Sequence, residues 1–335
     1  MRAVVIYDHG GMQQLTYETD FPEPEAGPGE VIVQVKASSL NYHDVFTRRG
    51  MPGIKIPKPM IMGLDIAGEI AALGPGIDAW SIGDRVLLDP IDRVKGGLMG
   101  ETILGGLAER CCAGVHQLIR IPPGVSFAEA AALPVAYGTA HRMMVTIGQV
   151  SAGERVLILG ASGGVGTGCV FLAKLAGAEV IACAGSEVKL QRLREFGADQ
   201  VINYNTHDFA REIYGLYGKP HRRGGPGGVD MVINYTGGDT WVPSLKCLRK
   251  GGRMLTCGAT AGFDPPTDIR YIWTYELQLL GSNGWTVEDI DTLLNLVQSG
   301  QLKPVIDRVL PLTEAREALR LIEQRDVIGK VIVAP

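Results

Sequence analysis

The stretch RVLILGASGGVGTGCVFLAKLAGAEVIACAGS, residues 155–186, decides the fold. RVLILG (155–160) is a short β-branched run ending at a glycine. The turn GASGGVG (160–166) follows, then a helix-compatible FLAKLAGA, then AEVIACA (178–184) as a second strand. Strand, glycine turn, helix and strand within about 30 residues form a βαβ unit with parallel strands. Gly163, Gly164 and Gly166, with Ser162 and Val165 completing the turn, let the main chain approach a pyrophosphate whose charge sits on the helix N-terminus. A dinucleotide site is therefore expected. An NAD site calls for an acid about 20 residues on, at the end of the second strand. Ala184 and Gly185 stand there instead, followed by Ser186 and Lys189, a hydroxyl and a cation suited to a 2′-phosphate. The reading favours NADP(H), with Lys189 and Arg192 as a solvated helix face being the alternative.

Working outward, strands and helices keep alternating: EVKLQRLREFG (187–197), QVINY (200–204), DMVINY (230–235), RMLTCG (253–258). That pattern predicts a doubly wound parallel sheet. Upstream, FAEAAALPVAYGTAHRMMV (127–145) has alanine-rich helical spacing. Residues 1–125 carry short alternating runs (AVVIY 3–7, VIVQVKA 31–37, DIAGEIAAL 65–73, DRVLLDP 84–90) between Pro/Gly-rich breaks, which predicts an antiparallel barrel or sandwich. MRAVVIYDHGG reads as a first strand, not a signal peptide. Downstream come a helix near 287–299, LKPVIDRVLPL (302–312), a helix to about 324, and GKVIVAP as a strand returning to the first domain. The class is α/β, with a β-rich domain over 1–130 and 284–335 and a Rossmann domain over 131–283.

At 335 residues the length suits about two domains, and 46% hydrophobic residues can build both cores. Net charge is −4, with 32 basic residues scattered along the chain; no broad electrostatic footprint for nucleic acid or anionic membrane results. No run approaches 18 apolar residues, so no membrane span is expected. Six cysteines without a Cys-x-x-Cys pair make no disulfide framework, and a cytoplasmic location is expected.

ASSLNYHDVFTRRG (37–50), MGLDIAGEIAALGPGI (62–77), GDRVL (83–87), GGLAE (105–109), AALPVAYGTAH (131–141), ERVLILGASGGVG (154–166), LREFGADQVINY (193–204), GGRMLTCGATAG (251–262) and GKVIV (329–333) together resemble the medium-chain dehydrogenase/reductase superfamily. The resemblance implies a GroES-like catalytic domain, a Rossmann cofactor domain and a small-molecule substrate in the cleft between them. It places the three zinc ligands of the alcohol dehydrogenases on Asn41, Leu64 and Val135. Leucine and valine cannot bind zinc and neutral asparagine is a poor ligand, so no metal is expected. The four-cysteine structural loop is missing from residues 89–108 as well. The branch it resembles is that of the zinc-free quinone oxidoreductases and enoyl reductases, in which NADPH reduces a quinone or a carbonyl-conjugated double bond. A zinc-type alcohol dehydrogenase relative and a non-catalytic dinucleotide-binding protein are the alternatives.

Within that resemblance, Asn41, Tyr42 and His43 are the catalytic candidates. Asn41 is a donor to a carbonyl or ribose, or else a turn-stabilising residue. Tyr42 and His43 are proton-capable, with His43 more readily a surface histidine. Thr139 is carried over as a neighbour of the nicotinamide carboxamide and Tyr204 as a flank of the 2′-phosphate. Gly258, Ala259 and Thr260 face the nicotinamide ribose, with Ser282 and Asn283 similarly placed after the last strand. Arg325 reaches the phosphates or lies on a solvated tail helix. The basic insertion YGKPHRRGGPGGVD (217–230) is expected to be an exposed loop, its alternative role being contact with a phosphorylated partner such as a CoA tail. Superfamily members pair the edge strands of their Rossmann sheets, which implies a homodimer, or a tetramer, with LQLLGS (277–282) at the interface.

Overall fold

The computed structural model describes residues 1–335. The chain divides into two compact units, one of Met1–Ala136 with Ile290–Pro335 and one of Tyr137–Asp289. Both crossings fall a little later than the expected 130/131 and 283/284. Asp289 is tied to the second unit by the His141 ring, 2.7 Å away, and by the hydroxyl of Thr146 at 3.0 Å.

The second unit is built on six strands: β1 (Arg155–Ile158), β2 (Glu179–Ala184), β3 (Gln200–Asn203), β4 (Val229–Ile233), β5 (Leu248–Thr256) and β6 (Gln278–Gly281). All pair in parallel, in the order β3-β2-β1-β4-β5-β6. The order reverses beside β1, and ligands of such sheets bind outside the strands' C-terminal ends at that reversal. A parallel sheet covered by crossover helices buries both faces of its strands. Hence Val156, Leu157 and Ile158 are all fully buried, and Leu157, Ile181, Ile202, Val232 and Met254 share one core. β5 starts earlier than the expected RMLTCG.

The first unit carries a seven-stranded sheet. Its main path runs Ile306–Pro311, Lys330–Ala334, Glu30–Ser39, Asp65–Leu73, Arg85–Leu88, Leu118–Arg120, with Arg110–Gly114 also paired to Glu30–Ser39. Leu15–Glu18, Ala3–Ile6 and Met60–Ile61 form a second small sheet. As expected, the last strand of the chain returns here: Ile332 and Val333 pair antiparallel with Ser39 and Ser38. That register, with Leu40 N–H donating to the Val331 carbonyl at 3.0 Å, brings Lys330 beside Asn41.

The helical spacing over 127–145 is realised as a series of short helical segments. Phe127–Ala131 and Thr139–His141 are α-helical, whereas Leu133–Gly138 and Arg142–Ile147 are π-helical turns. Pro134 has no N–H to give the ladder, and the N–H of Val135 leaves it to donate to Asp65 at 2.9 Å. The apolar spacing marked the buried face correctly but carries no signal for a widened turn.

Candidate active site

In the second unit, five loops converge on the C-terminal edge of the parallel sheet, following β1, β2, β3, β5 and β6. After β1, Gly160 adopts φ +64°, a conformation that favours glycine, and its carbonyl accepts the Tyr235 hydroxyl at 2.8 Å. A Cβ on Gly166 would lie 2.5 Å from the Gly160 oxygen, so only glycine lets the helix Gly164–Leu175 start this close to the strand. Gly163 caps that helix without a side chain, and no acid sits in its first turn. The first-turn N–H groups therefore face outward with the positive end of the helix dipole, which suits a pyrophosphate.

After β2, Ser186 caps the helix Glu187–Glu195, and its hydroxyl faces the Lys189 N–H at 3.5 Å. Ala184 pairs with Asn203 of β3, so Tyr204 emerges next to Gly185. A Cβ on Gly185 would meet the Tyr204 ring at 3.4 Å and the Asn205 amide at 2.9 Å. Ser186, Lys189 and Tyr204 are thus brought to one rim. Sequence reasoning missed two residues of this rim: Asn205, which donates to the Gly185 carbonyl at 2.8 Å, and Glu187, which accepts from Asn203 at 3.1 Å. The asparagines flanking Tyr204 in INYN were the available signal.

After β5, Gly258 and Ala259 are exposed and Thr260 donates its N–H to the Tyr235 carbonyl at 3.2 Å. After β6, Ser282 is buried with its hydroxyl unpartnered, and Asn283 is exposed. An orphaned buried hydroxyl at this edge suits a polar ligand group. Thr139 is buried at the start of its short helix. The basic loop precedes β4 and so lies at the opposite, N-terminal edge, where Arg155 ties it through the Pro226 carbonyl at 2.8 Å. That topology separates His221, Arg222 and Arg223 from the dinucleotide turn by the length of the strands. The loop is exposed, as expected.

In the first unit, Asn41 precedes the helix Tyr42–Arg49, and its side chain is buried. Its Nδ2 donates to Asp65 Oδ2 at 2.8 Å and makes a 3.4 Å contact with the Ser39 carbonyl, while Oδ1 accepts from Lys330 Nζ at 2.5 Å. Lys330 also donates to the Leu40 carbonyl at 2.9 Å and lies 3.4 Å from Asp65 Oδ2. Asp44 accepts the Asn41 and Gly63 N–H groups at 2.8 and 2.9 Å. Burial raises the Asp44 carboxyl to about 6. Burial also raises Asp65 and lowers Lys330, each opposed by their mutual attraction. Asn41 is therefore both a helix-starting residue and a member of a buried charged cluster. Asp65 and Lys330 went unassigned in the sequence, although a lysine opening the apolar strand KVIVA was a visible oddity.

Tyr42 packs edge-on to Phe46 at 5.1 Å. The Arg325 guanidinium lies 5.9 Å from the Tyr42 ring centroid. Arg325, expected among the cofactor residues, thus belongs to the first unit and groups with Tyr42. His43 Nε2 lies 2.6 Å from the buried Glu101 carboxylate, a partner the sequence did not reveal.

Residues 27–123 match the alcohol dehydrogenase GroES-like domain and residues 164–299 the zinc-binding dehydrogenase domain. Crotonyl-CoA reductase of Streptomyces avermitilis is 31% identical over 93% of this chain and 80% of its own length. The chain belongs to the medium-chain dehydrogenase/reductase superfamily. Human quinone oxidoreductase, another relative, is 29% identical over 99% of this chain and 97% of its own. Among solved structures, an NAD-dependent alcohol dehydrogenase superposes with TM-score 0.91 at 36% identity, covering all of both chains. The 2-octenoyl-CoA carboxylase reductase CinF, solved with NADP and 2-octenoyl-CoA, gives 0.85 at 29%, covering 96% of this chain and 82% of that one.

The catalytic zinc of many superfamily members does not fit the residues present. Leu64 is buried and apolar, the Val135 side chain carries no ligand atom and its N–H is given to Asp65, and Asn41 Oδ1 accepts from an ammonium group. The Lys330 ammonium takes the Asn41 oxygen that a metal would need and sets a positive charge beside it.

Proposed function

We propose that this chain is an NADPH-dependent, zinc-independent reductase of quinones or of double bonds conjugated to a carbonyl. What carries the reading is the set Asn41, Leu64 and Val135 at the superfamily's zinc-ligand positions. Without a Lewis acid, the acceptor must bring its own electron sink, as a quinone, enal, enone or enoyl thioester does. Crotonyl-CoA reductase, quinone oxidoreductase and CinF among the similar proteins support that class, and CinF's bound NADP supports the cofactor.

When bound, NADPH supplies the hydride. The turn Ser162–Gly166 receives its pyrophosphate on the N-terminus of the helix Gly164–Leu175. Ser186, Lys189 and Tyr204 take the 2′-phosphate. Gly258, Ala259, Thr260, Ser282, Asn283 and Thr139 serve the nicotinamide half, and Arg325 is assigned to the phosphates. Asn41 orients the acceptor carbonyl or the ribose, holding negative charge as it develops on oxygen. For an alkene the hydride adds at the β-carbon and a proton must reach the α-carbon, from Tyr42, His43 or water.

We also infer a cytoplasmic homodimer. All six cysteines are unpaired, which suits a reducing compartment. No helix is long and apolar enough to cross a membrane. The edge strand β6 exposes Leu279, and Trp273, Ile269 and Phe263 in the preceding segment are also exposed. An unpaired edge beside such apolar surface favours pairing with a second copy.

The test is an NADPH-oxidation screen of the purified protein across quinones, 2-alkenals, enones and enoyl-CoA thioesters. Turnover with at least one of these, and none with simple alcohols or aldehydes, is expected. Turnover confined to alcohols or aldehydes would overturn the reading.

A further inference from the structure

Asn41 does not hold its own orientation. Each end of its amide is fixed by a buried charge from a different part of the chain: Oδ1 by Lys330 at 2.5 Å, Nδ2 by Asp65 at 2.8 Å. Lys330 is 2% exposed, and Asp65 is fully buried. Burying a lysine is costly unless its charge is compensated and its hydrogens are placed. Here all three hydrogens have acceptors, in Asn41, Leu40 and Asp65.

The cluster has a direction. A carboxylate at Nδ2 and an ammonium at Oδ1 leave one amide rotamer, since flipping the group would set its NH₂ against the ammonium and its oxygen against Asp65. The ammonium also draws electron density toward Oδ1, which makes the Nδ2 hydrogens stronger donors, as coupled hydrogen bonds in a low-dielectric interior do. One of those hydrogens is committed to Asp65. The other has only the 3.4 Å contact to the Ser39 carbonyl and is the one that can be redirected to an acceptor oxygen.

We propose that Lys330 is a positioning residue for hydride transfer: its buried ammonium fixes and polarises the Asn41 amide at the place where the superfamily's metal ligands stand. The proposal rests on the reading of Asn41 given under the proposed function. Lys330 is assigned no contact with substrate or cofactor; it acts through Asn41.

The test is a double-mutant cycle on the full-length protein, with Lys330→Met, Asn41→Ala and the double variant. The measurements are kcat and KM with the best acceptor of the screen, the KM for NADPH, and Tm. Lys330→Met is expected to lower kcat about tenfold or more with the NADPH KM unchanged within about twofold. The double variant is expected to be no slower than Asn41→Ala, because the lysine has nothing left to position. Losses in kcat that multiply in the double variant, or a Lys330→Met enzyme with full kcat and only a lower Tm, would overturn the proposal. If Asn41→Ala alone retains full kcat, the reading of Asn41 fails first and the proposal falls with it. A normal loss for Asn41→Ala beside an unaffected Lys330→Met sinks only the proposal. Should Lys330→Met not fold, Lys330→Gln decides by the same criteria, since its amide still donates to Asn41 and Leu40 without the charge.

Discussion

The backbone N–H of Val135 donates to Oδ1 of Asp65 across 2.9 Å. One carboxylate thereby joins the π-helical turn Leu133–Gly138, the Asn41 amide and the Lys330 ammonium. Replacing Asp65 by Ala strips three donors of their acceptor inside the core and takes from the buried Lys330 the carboxylate it contacts, leaving only the more distant Asp44 carboxyl. Removing one member of a buried pair costs about 3–5 kcal/mol. Asp65→Ala is therefore expected to lower Tm sharply, with urea denaturation giving the free energy. A variant within about 1 kcal/mol of the parent would show that the cluster contributes little to stability.

Asp44 gives the fold a pH dependence of unusual sign. Burial raises its carboxyl to about 6, opposed by the N–H groups of Asn41 and Gly63. The native state then holds this proton more tightly than the unfolded chain does. Between about pH 4 and pH 6 Asp44 therefore weakens the fold as pH rises, by up to about 3 kcal/mol. The difference in unfolding free energy between parent and Asp44→Asn should shift in favour of the variant over that window and level off above it. A difference that stays constant from pH 4 to 7 would mean that Asp44 titrates alike folded and unfolded.

Much of this was legible because it depends on local order along the chain. The run 155–186 carries strand, glycine turn and helix at fixed offsets, and the turn geometry at Gly160 and Gly166 is what those glycines imply. The strand at 330–334 was legible from its apolar run. The charged cluster was not, because Asn41, Asp65 and Lys330 are up to 289 residues apart and each alone looks ordinary. The same holds for Glu101 beside His43, which depends on how the 89–108 segment folds back. The π-helical turns escaped because apolar periodicity marks a buried face, whereas Pro134 and the bond from Val135 to Asp65 set the width of the helix.

The proposed function predicts metal independence from the residues at the ligand positions. Protein purified without chelator is expected to hold far less than one zinc per chain by elemental analysis. Its turnover in the acceptor screen should persist after EDTA treatment. Activity lost to EDTA and regained with zinc would require ligands other than Asn41, Leu64 and Val135.

Cofactor choice is testable at the rim after β2. Lys189→Ala should weaken NADPH far more than NADH, since a charge-assisted contact to phosphate contributes about 1.5–3 kcal/mol, or roughly ten- to 150-fold in KM. Equal losses for both cofactors would remove Lys189 from phosphate recognition. Ala184→Asp places an acid where NAD-selecting sites carry one. Ala184 is fully buried, so the variant should lose some stability, but the readout is the ratio of kcat/KM for NADPH and NADH, which should fall.

The proton for the α-carbon is the last question, and His43 and Tyr42 answer it separately. His43 Nε2 faces Glu101 at 2.6 Å, an arrangement that ties the helix Tyr42–Arg49 to the 89–108 segment and leaves only Nδ1 for any acceptor. His43→Ala is accordingly expected to cost stability, on the order of 1–3 kcal/mol for a buried carboxylate left unpaired, and to leave kcat unchanged on every acceptor. Tyr42 keeps its hydroxyl on a ring flanked by Phe46 and Arg325, so Tyr42→Phe isolates the hydroxyl while preserving the packing. A quinone oxyanion can take its proton from water, whereas the α-carbon of an enolate benefits from a placed acid. If Tyr42 is that acid, Tyr42→Phe slows alkene reduction and spares quinone reduction. Equal rates for Tyr42→Phe and parent on both acceptor types would leave solvent as the donor. A His43→Ala enzyme slowed on alkenes alone, with a shifted pH profile, would transfer the role to the histidine and make Glu101 its positioning partner.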